Sequence, residues 1–256
     1  MAVQLGPLHE DMVFLSPMSE ARATGFVDWL ADGLTAGATL LDVGCGWGEL
    51  SLRVAAAAPQ ATVVGVDLDQ DALAEATRRA RERGLGERAA YLPGDGATTG
   101  PDEVDALVAI GASQVWGPDV EEAQPLDYAA ALSGIRDRVR RGARVLYGDA
   151  VWTRSPTPEA IAPLARRDDE FVSIAELVDL AVEHGFAPIA VQEASLEEWD
   201  AFESGFTARY ATWLAEHDPD DPDAPEVRER AQRQRDAYFR GYRGILGLAY
   251  LQLLAV

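Results

Sequence analysis

Three glycines follow an aspartate in the run Leu41-Asp42-Val43-Gly44-Cys45-Gly46-Trp47-Gly48-Glu49. Backbone without a Cβ turns sharply and lets a ligand come close, and the amides that open the next helix point at whatever sits there. Two further acids stand at matching places downstream, Asp67 in Gly65-Val66-Asp67-Leu68-Asp69 and Asp95 in Gly94-Asp95-Gly96-Ala97. A carboxylate at Asp67 suits a pair of ribose hydroxyls. One at Asp42 disfavours a pyrophosphate and favours an ammonium or sulfonium. The polar turn at Gly94–Ala97 suits an adenine amino group. Together these residues describe a pocket for a nucleoside that carries positive charge. A dinucleotide fingerprint needs its third glycine where Glu49 stands, which counts against an NAD(P)-dependent oxidoreductase.

Elements of regular period must hold these turns in place. From Ala38 to about Gly148, short aliphatic runs alternate with longer amphipathic ones. Strands are expected at 38–44, 61–67, 89–95, 104–111 and 143–149, and helices at 49–58, 69–84 and 125–142. Such alternation implies βαβ units and a parallel sheet with helices on both faces, and ligands then bind beyond the carboxyl ends of the strands. Before this core, 19–34 reads as a helix capped by Ser19, with Phe26, Trp29 and Leu30 on its apolar face. After it come a proline-punctuated loop, a helix from Ser173 and a strand-like 186–194. Trp199, Phe202, Phe206, Tyr210 and Trp213 then share one helical face, a pattern that suits packing against the sheet. The acidic HDPDDPDAP breaks that helix and another begins at Glu226. The run from Ile245 has the composition of a buried strand. The expected organisation is therefore an N-terminal helical cap at 1–37, a cofactor-binding core at 38–195, a helical insertion or lid at 196–243, and the last strand of the core at 244–256.

Composition narrows the chemistry further. The 256 residues carry 22 basic and 43 acidic side chains for a net charge of −21, and every basic residue is arginine. Without lysine there is no Walker-type phosphate loop and no Schiff-base chemistry. The negative surface disfavours nucleic acid. Arginines cluster at 78–88 and 136–144, where helical periodicity suggests solvated faces balanced by acids. The single cysteine, Cys45, precludes an intramolecular disulfide. With no run near the ~20 apolar residues of a membrane span, the expectation is a cytoplasmic protein without membrane contacts.

The sequence resembles the class I S-adenosylmethionine-dependent methyltransferases over roughly residues 19–155. LLDVGCGWGEL is similar to the family's first motif, GVDLDQDAL to its second-strand motif and GDG to its third. A narrower similarity, through PMSEARA, CGWGEL, GASQVWG and GDAVW, is to a mostly uncharacterised bacterial group that acts on small molecules. The resemblance implies a Rossmann-like α/β fold, a doubly wound, seven-stranded, mostly parallel sheet with a helical insertion before the last strand. It also implies S-adenosylmethionine as cofactor, held by Ser19, Arg22, Asp42, Gly44, Cys45, Gly46, Trp47, Gly48, Asp67, Leu68, Asp95, Gly96, Ala97, Ile110 and Gly111.

The segment Ile110-Gly111-Ala112-Ser113-Gln114 lacks the Asn/Asp-Pro-Pro-aromatic tetrad of enzymes that methylate nucleic-acid amines, so a small-molecule acceptor is expected. Trp116, Trp152, Phe206 and Tyr210 are candidates for its pocket, and Trp47 and Trp116 offer faces that stabilise cations. A sulfonium methyl needs chiefly an acceptor held in line, with a base only where the acceptor carries a proton. Candidate bases are Asp149, His9 and Glu10; Gln114 stands where relatives carry histidine and cannot take a proton. No metal site is expected. A non-catalytic S-adenosylmethionine-binding sensor is the alternative.

Overall fold

The computed structural model describes residues 3, 5–117 and 125–256. A short 3₁₀ turn at Leu8–Glu10 precedes α1 (Glu20–Gly33), whose first turn is capped by Ser19 accepting from Arg22 N. The core then alternates β1 (Thr39–Val43), α2 (Glu49–Ala57), β2 (Thr62–Asp67), α3 (Gln70–Glu82), β3 (Ala89–Pro93) and β4 (Val104–Ile110). It continues with α4 (Tyr128–Arg138), β5 (Val139–Trp152), the single turn α5 (Pro158–Ile161), α6 (Ile174–Glu183) and β6 (Phe186–Glu193). A helical hairpin of α7 (Leu196–Glu216) and α8 (Ala224–Asp236) ends in a π-helical turn at Ala237–Tyr242 and leads into β7 (Leu246–Ala255).

The seven strands lie in the order β3-β2-β1-β4-β5-β7-β6. Strands β1 to β5 pair in parallel, while β7 runs antiparallel between β5 and β6. Period-2 alternation sorts the strand side chains onto two faces, each with its own core. Leu40, Val63, Ala106, Val108 and Leu146 pack with α1, α2, Trp199 and Tyr250. Leu41, Val43, Val66, Leu107, Val145 and Tyr147 pack with α4 and α6. The last strand is buried along nearly its whole length, which accounts for its uninterrupted apolar composition.

The structure departs from the periodicity at one boundary. Residues 125–142 read as one helix, yet α4 stops at Arg138 and β5 starts four residues before the expected Ala143. Arg138 is buried, and its guanidinium donates to the carbonyls of Gly96, Ala97, Thr99 and Pro101. That anchor turns the chain so that β-branched Val139 pairs with Val104, and the register shifts before Arg144 reaches Ala106. Arg138 and Arg79, the latter bound to Glu49 and Glu75, are therefore tertiary anchors rather than parts of solvated faces.

Candidate active site

Beyond the carboxyl ends of β1, β2, β3 and β4 lies a cleft of about 620 Å³. Its floor is the glycine turn. Gly44 N and Cys45 N both donate to Val66 O, and Gly48 N donates back to Cys45 O. At Gly46, φ is 51° and a Cβ would meet nothing within 4 Å, so the position is left-handed and open to a ligand. Gly48 is glycine for another reason: a Cβ there would lie 2.6 Å from the Tyr91 ring, whose hydroxyl contacts Ser51 beneath the turn.

The three acids face this floor. Asp67 holds the turn open, its Oδ2 accepting from Gly46 N at 2.7 Å and its Oδ1 from Asp69 N at 2.9 Å. Each carboxylate oxygen keeps a further lone pair. Asp95 accepts from Ala97 N at 2.9 Å and lines the cleft with Gly96. Asp42 is only 5% exposed. Burial pushes its pKa up to about 7, against an opposing pull from the Ser51 hydroxyl, and the like charge of Asp67 adds a smaller push. The Cys45 thiol is driven far above its ordinary range by burial, which fits packing in the turn and no nucleophilic role.

Gly44, Cys45, Gly46, Trp47, Leu68, Ile110, Gly111 and Gln114 also line the cleft. Gly48 and Ala97 are not among the lining residues; they shape the turns behind them. Ser19 and Arg22 are placed elsewhere. Ser19 caps α1, and Arg22 forms a two-toothed pair with Glu198, donates to Gln192 and Glu193, and stacks on Tyr250. It ties α1 to β6 and α7, a task that takes four of its five N–H donors, and it is not among the cleft residues.

The expected acceptor pocket is also redistributed. Trp116 packs on Gly134, and Trp152 is buried with its indole donating to Asp168 O. Phe206 packs edge-on against Phe202, and Tyr210 stacks beneath Arg209. None of the four is among the cleft residues. Phe14, Leu15, Ser16 and Met18 cover the cleft instead. The Trp47 indole pins this strap by donating to Val13 O at 2.7 Å, and Met12 fills the space that Gly205 leaves on α7. The hairpin supports the strap from behind.

Of the candidate bases, His9 and Glu10 line a separate cavity beside Arg53, Arg79 and Arg83. Asp149 is enclosed under the β4 turn. Glu49 is a signal that spacing alone did not reveal. It is buried and bound by Arg53, Arg79 and Arg83, locking α2 to α3. Among the described residues no group of acids, histidines or cysteines has the spacing of a metal site.

Residues 40–130 match the family model described as a methyltransferase domain. The matched segment is the part of the core that holds β1 to β4. A curated relative, the uncharacterized protein YjhP of Escherichia coli, is 28% identical over 187 residues, covering 72% of this chain and 71% of its own. Among solved structures, a SAM-dependent methyltransferase from Geobacter sulfurreducens in complex with S-adenosyl-L-homocysteine superposes with a TM-score of 0.81 at 24% identity, over 97% of this chain and 96% of that one. The [4+2]-cyclase SpnF superposes at 0.65 with 23% identity, over 92% and 82% of the two chains. The strands β1 to β4 carry the cleft, and α7, α8 and β7 lie outside the matched segment.

Proposed function

We propose that this protein is an S-adenosylmethionine-dependent methyltransferase acting on a small, uncharged or cationic acceptor. The observation that carries the reading is Asp67, which stands at the end of β2 with free lone pairs beside an open glycine floor. That arrangement suits the two hydroxyls of a ribose. The cofactor, when bound, supplies a methyl group already activated by its sulfonium. Asp42 would face its ammonium, Asp95 and Gly96 would border its adenine, and the strap from Phe14 to Met18 would shield it from water.

The acceptor class follows from charge. Asp42, Glu49, Asp67 and Asp95 line the cleft, and no basic side chain is among its described lining residues. Glu49 is neutralised by three arginines behind it; among the described residues the other three line the cleft with no basic side chain beside them. A phosphate or carboxylate on the acceptor would enter this field uncompensated. His9, Glu10 and Asp149 are not among the cleft residues, so none of the expected bases meets the acceptor there, and rate enhancement rests chiefly on proximity and alignment.

Calorimetric titration with S-adenosylhomocysteine tests the reading. Saturable binding is expected; no binding at millimolar ligand, with NADH or ATP bound instead, overturns it. That His9, Glu10 and Asp149 all stand outside the cleft favours one second reading, a cofactor-binding protein that transfers no methyl group, and the structural likeness to a cyclase is compatible with it. Turnover of S-adenosylmethionine to S-adenosylhomocysteine with any neutral or cationic acceptor excludes that reading.

A further inference from the structure

Asp149 is a buried acid for which the reading above has no use, and its surroundings are unusually complete. It is 5% exposed. Its Oδ2 accepts from both Ser113 N at 3.0 Å and Ser113 Oγ at 2.6 Å, and its Oδ1 accepts from Ala150 N at 2.8 Å. Ser113 has a single hydroxyl proton, which goes to Asp149, so the Tyr147 hydroxyl in contact with Ser113 Oγ must be the donor of that pair. Gly111 N donates to Gly148 O at 2.7 Å. The turn that follows β4 is thus stitched to β5 at Gly111 and at Ser113. Between those stitches and the cleft stands Gln114, exposed, lining the cleft, with its Nε2 donating to Gly111 O at 3.2 Å. That bond leaves Oε1 without a partner among the described residues.

Enclosing a carboxyl is costly, and here burial raises the pKa of Asp149. Packing alone needs no such group. An asparagine would present one acceptor where three donors converge, and its amide N–H would face another N–H. The geometry calls for a carboxylate, and what that carboxylate fixes is the height and direction of the Ser113–Val115 turn.

We propose that Ser113, Asp149 and Tyr147 form a positioning device that aims the Gln114 amide at the methyl-donor end of the cleft, where Gln114 contacts the acceptor. The inference rests on the functional reading above. The strand order β3-β2-β1-β4 supports the placement. With Asp95 and Asp67 taking the nucleoside over β3 and β2, and Asp42 the amino-acid end over β1, the next strand out is β4. Gln114 offers Oε1 to an N–H or O–H of the acceptor, a neutral contact that discriminates by hydrogen bonding.

S-adenosylmethionine and S-adenosylhomocysteine differ by one methyl group and its positive charge, so the ratio of their affinities reads the field at that point without knowledge of the acceptor. In Gln114→Glu, a carboxylate beside the sulfonium is expected to raise the preference for S-adenosylmethionine by about threefold to tenfold, measured calorimetrically on the full chain. Adding Ser113→Ala or Asp149→Asn to that variant should return the ratio toward the wild-type value, and Ser113→Thr, which keeps the hydroxyl, should preserve it. An unchanged ratio in Gln114→Glu overturns the placement of Gln114. A raised ratio that survives Ser113→Ala while the melting temperature falls overturns the positioning role and leaves the cluster merely structural. Failure of the wild-type protein to bind either compound would instead sink the functional reading itself.

Discussion

Four aspartates stand near the carboxyl ends of parallel strands, and the structure treats three of them differently from the fourth. Asp42, Asp67 and Asp95 face the cleft, whereas Asp149 is closed in beneath the β4 turn. The residue type and the strand pattern are alike in all four. Asp67 takes its donors from the loops on either side of it, so each oxygen retains a lone pair for a ligand. Asp149 takes donors from a neighbouring strand's turn, and they occupy it. A strand-end carboxylate becomes a binding group or a brace according to which chain segment crosses above it.

The contrast can be broken in several places. The largest effect is expected in pH. Burial lifts Asp42 from its usual 3.8 to about 7. Between those values the folded, ligand-free protein holds a proton that the unfolded chain has released. Stability from this group is therefore complete below about pH 4 and lost as pH rises through about 7, by an amount on the order of 4 kcal/mol at most. Asp42→Asn should flatten that decline in urea unfolding curves recorded at pH 5 and pH 8. Parallel declines in the two proteins would show that Asp42 is not desolvated.

Next comes the brace. Asp149→Ala orphans the Ser113 amide, the Ser113 hydroxyl and the Ala150 amide, and should lower the unfolding free energy by about 3 kcal/mol. A loss below ~1 kcal/mol would mean water replaces the carboxylate easily. Asp67→Ala is expected to act mainly on the ligand, weakening S-adenosylhomocysteine binding by ~1–3 kcal/mol. Unchanged affinity in calorimetry would remove Asp67 from the cofactor site. The smallest effect belongs to a carboxylate partner outside both groups. Arg78 is 54% exposed and pairs with Glu82 and Glu75 on α3, so Arg78→Ala should leave the melting temperature essentially unchanged, because solvent screens such pairs.

Much of this was legible before any coordinates. The alternation from Ala38 to Gly148, the glycine turn and the three acids at 42, 67 and 95 are local patterns. Each is dictated by a period or by a residue type at a turn. The cap of α1 by Ser19 was legible for the same reason. Contacts between distant segments were not. Arg22 lies 176 residues from Glu198, and nothing in PMSEARA distinguishes an arginine that meets a cofactor from one that ties a helix to the far side of the sheet. The aromatic face of α7 was readable as a packing face, but which segment it packs on was not. Met12 seated at Gly205 brings α7 behind the cover of the cleft, and Phe206 and Tyr210 do not line it.

The sequence by itself determined the strands, the turns at their ends and the acidic character of the pocket, because dihedral preference, side-chain period and charge are properties of neighbouring residues. Tertiary structure decided which acids stay open, which arginines become anchors and which segment covers the cleft. Those outcomes depend on how much water each polar group loses, and that is set by chain segments far away in sequence.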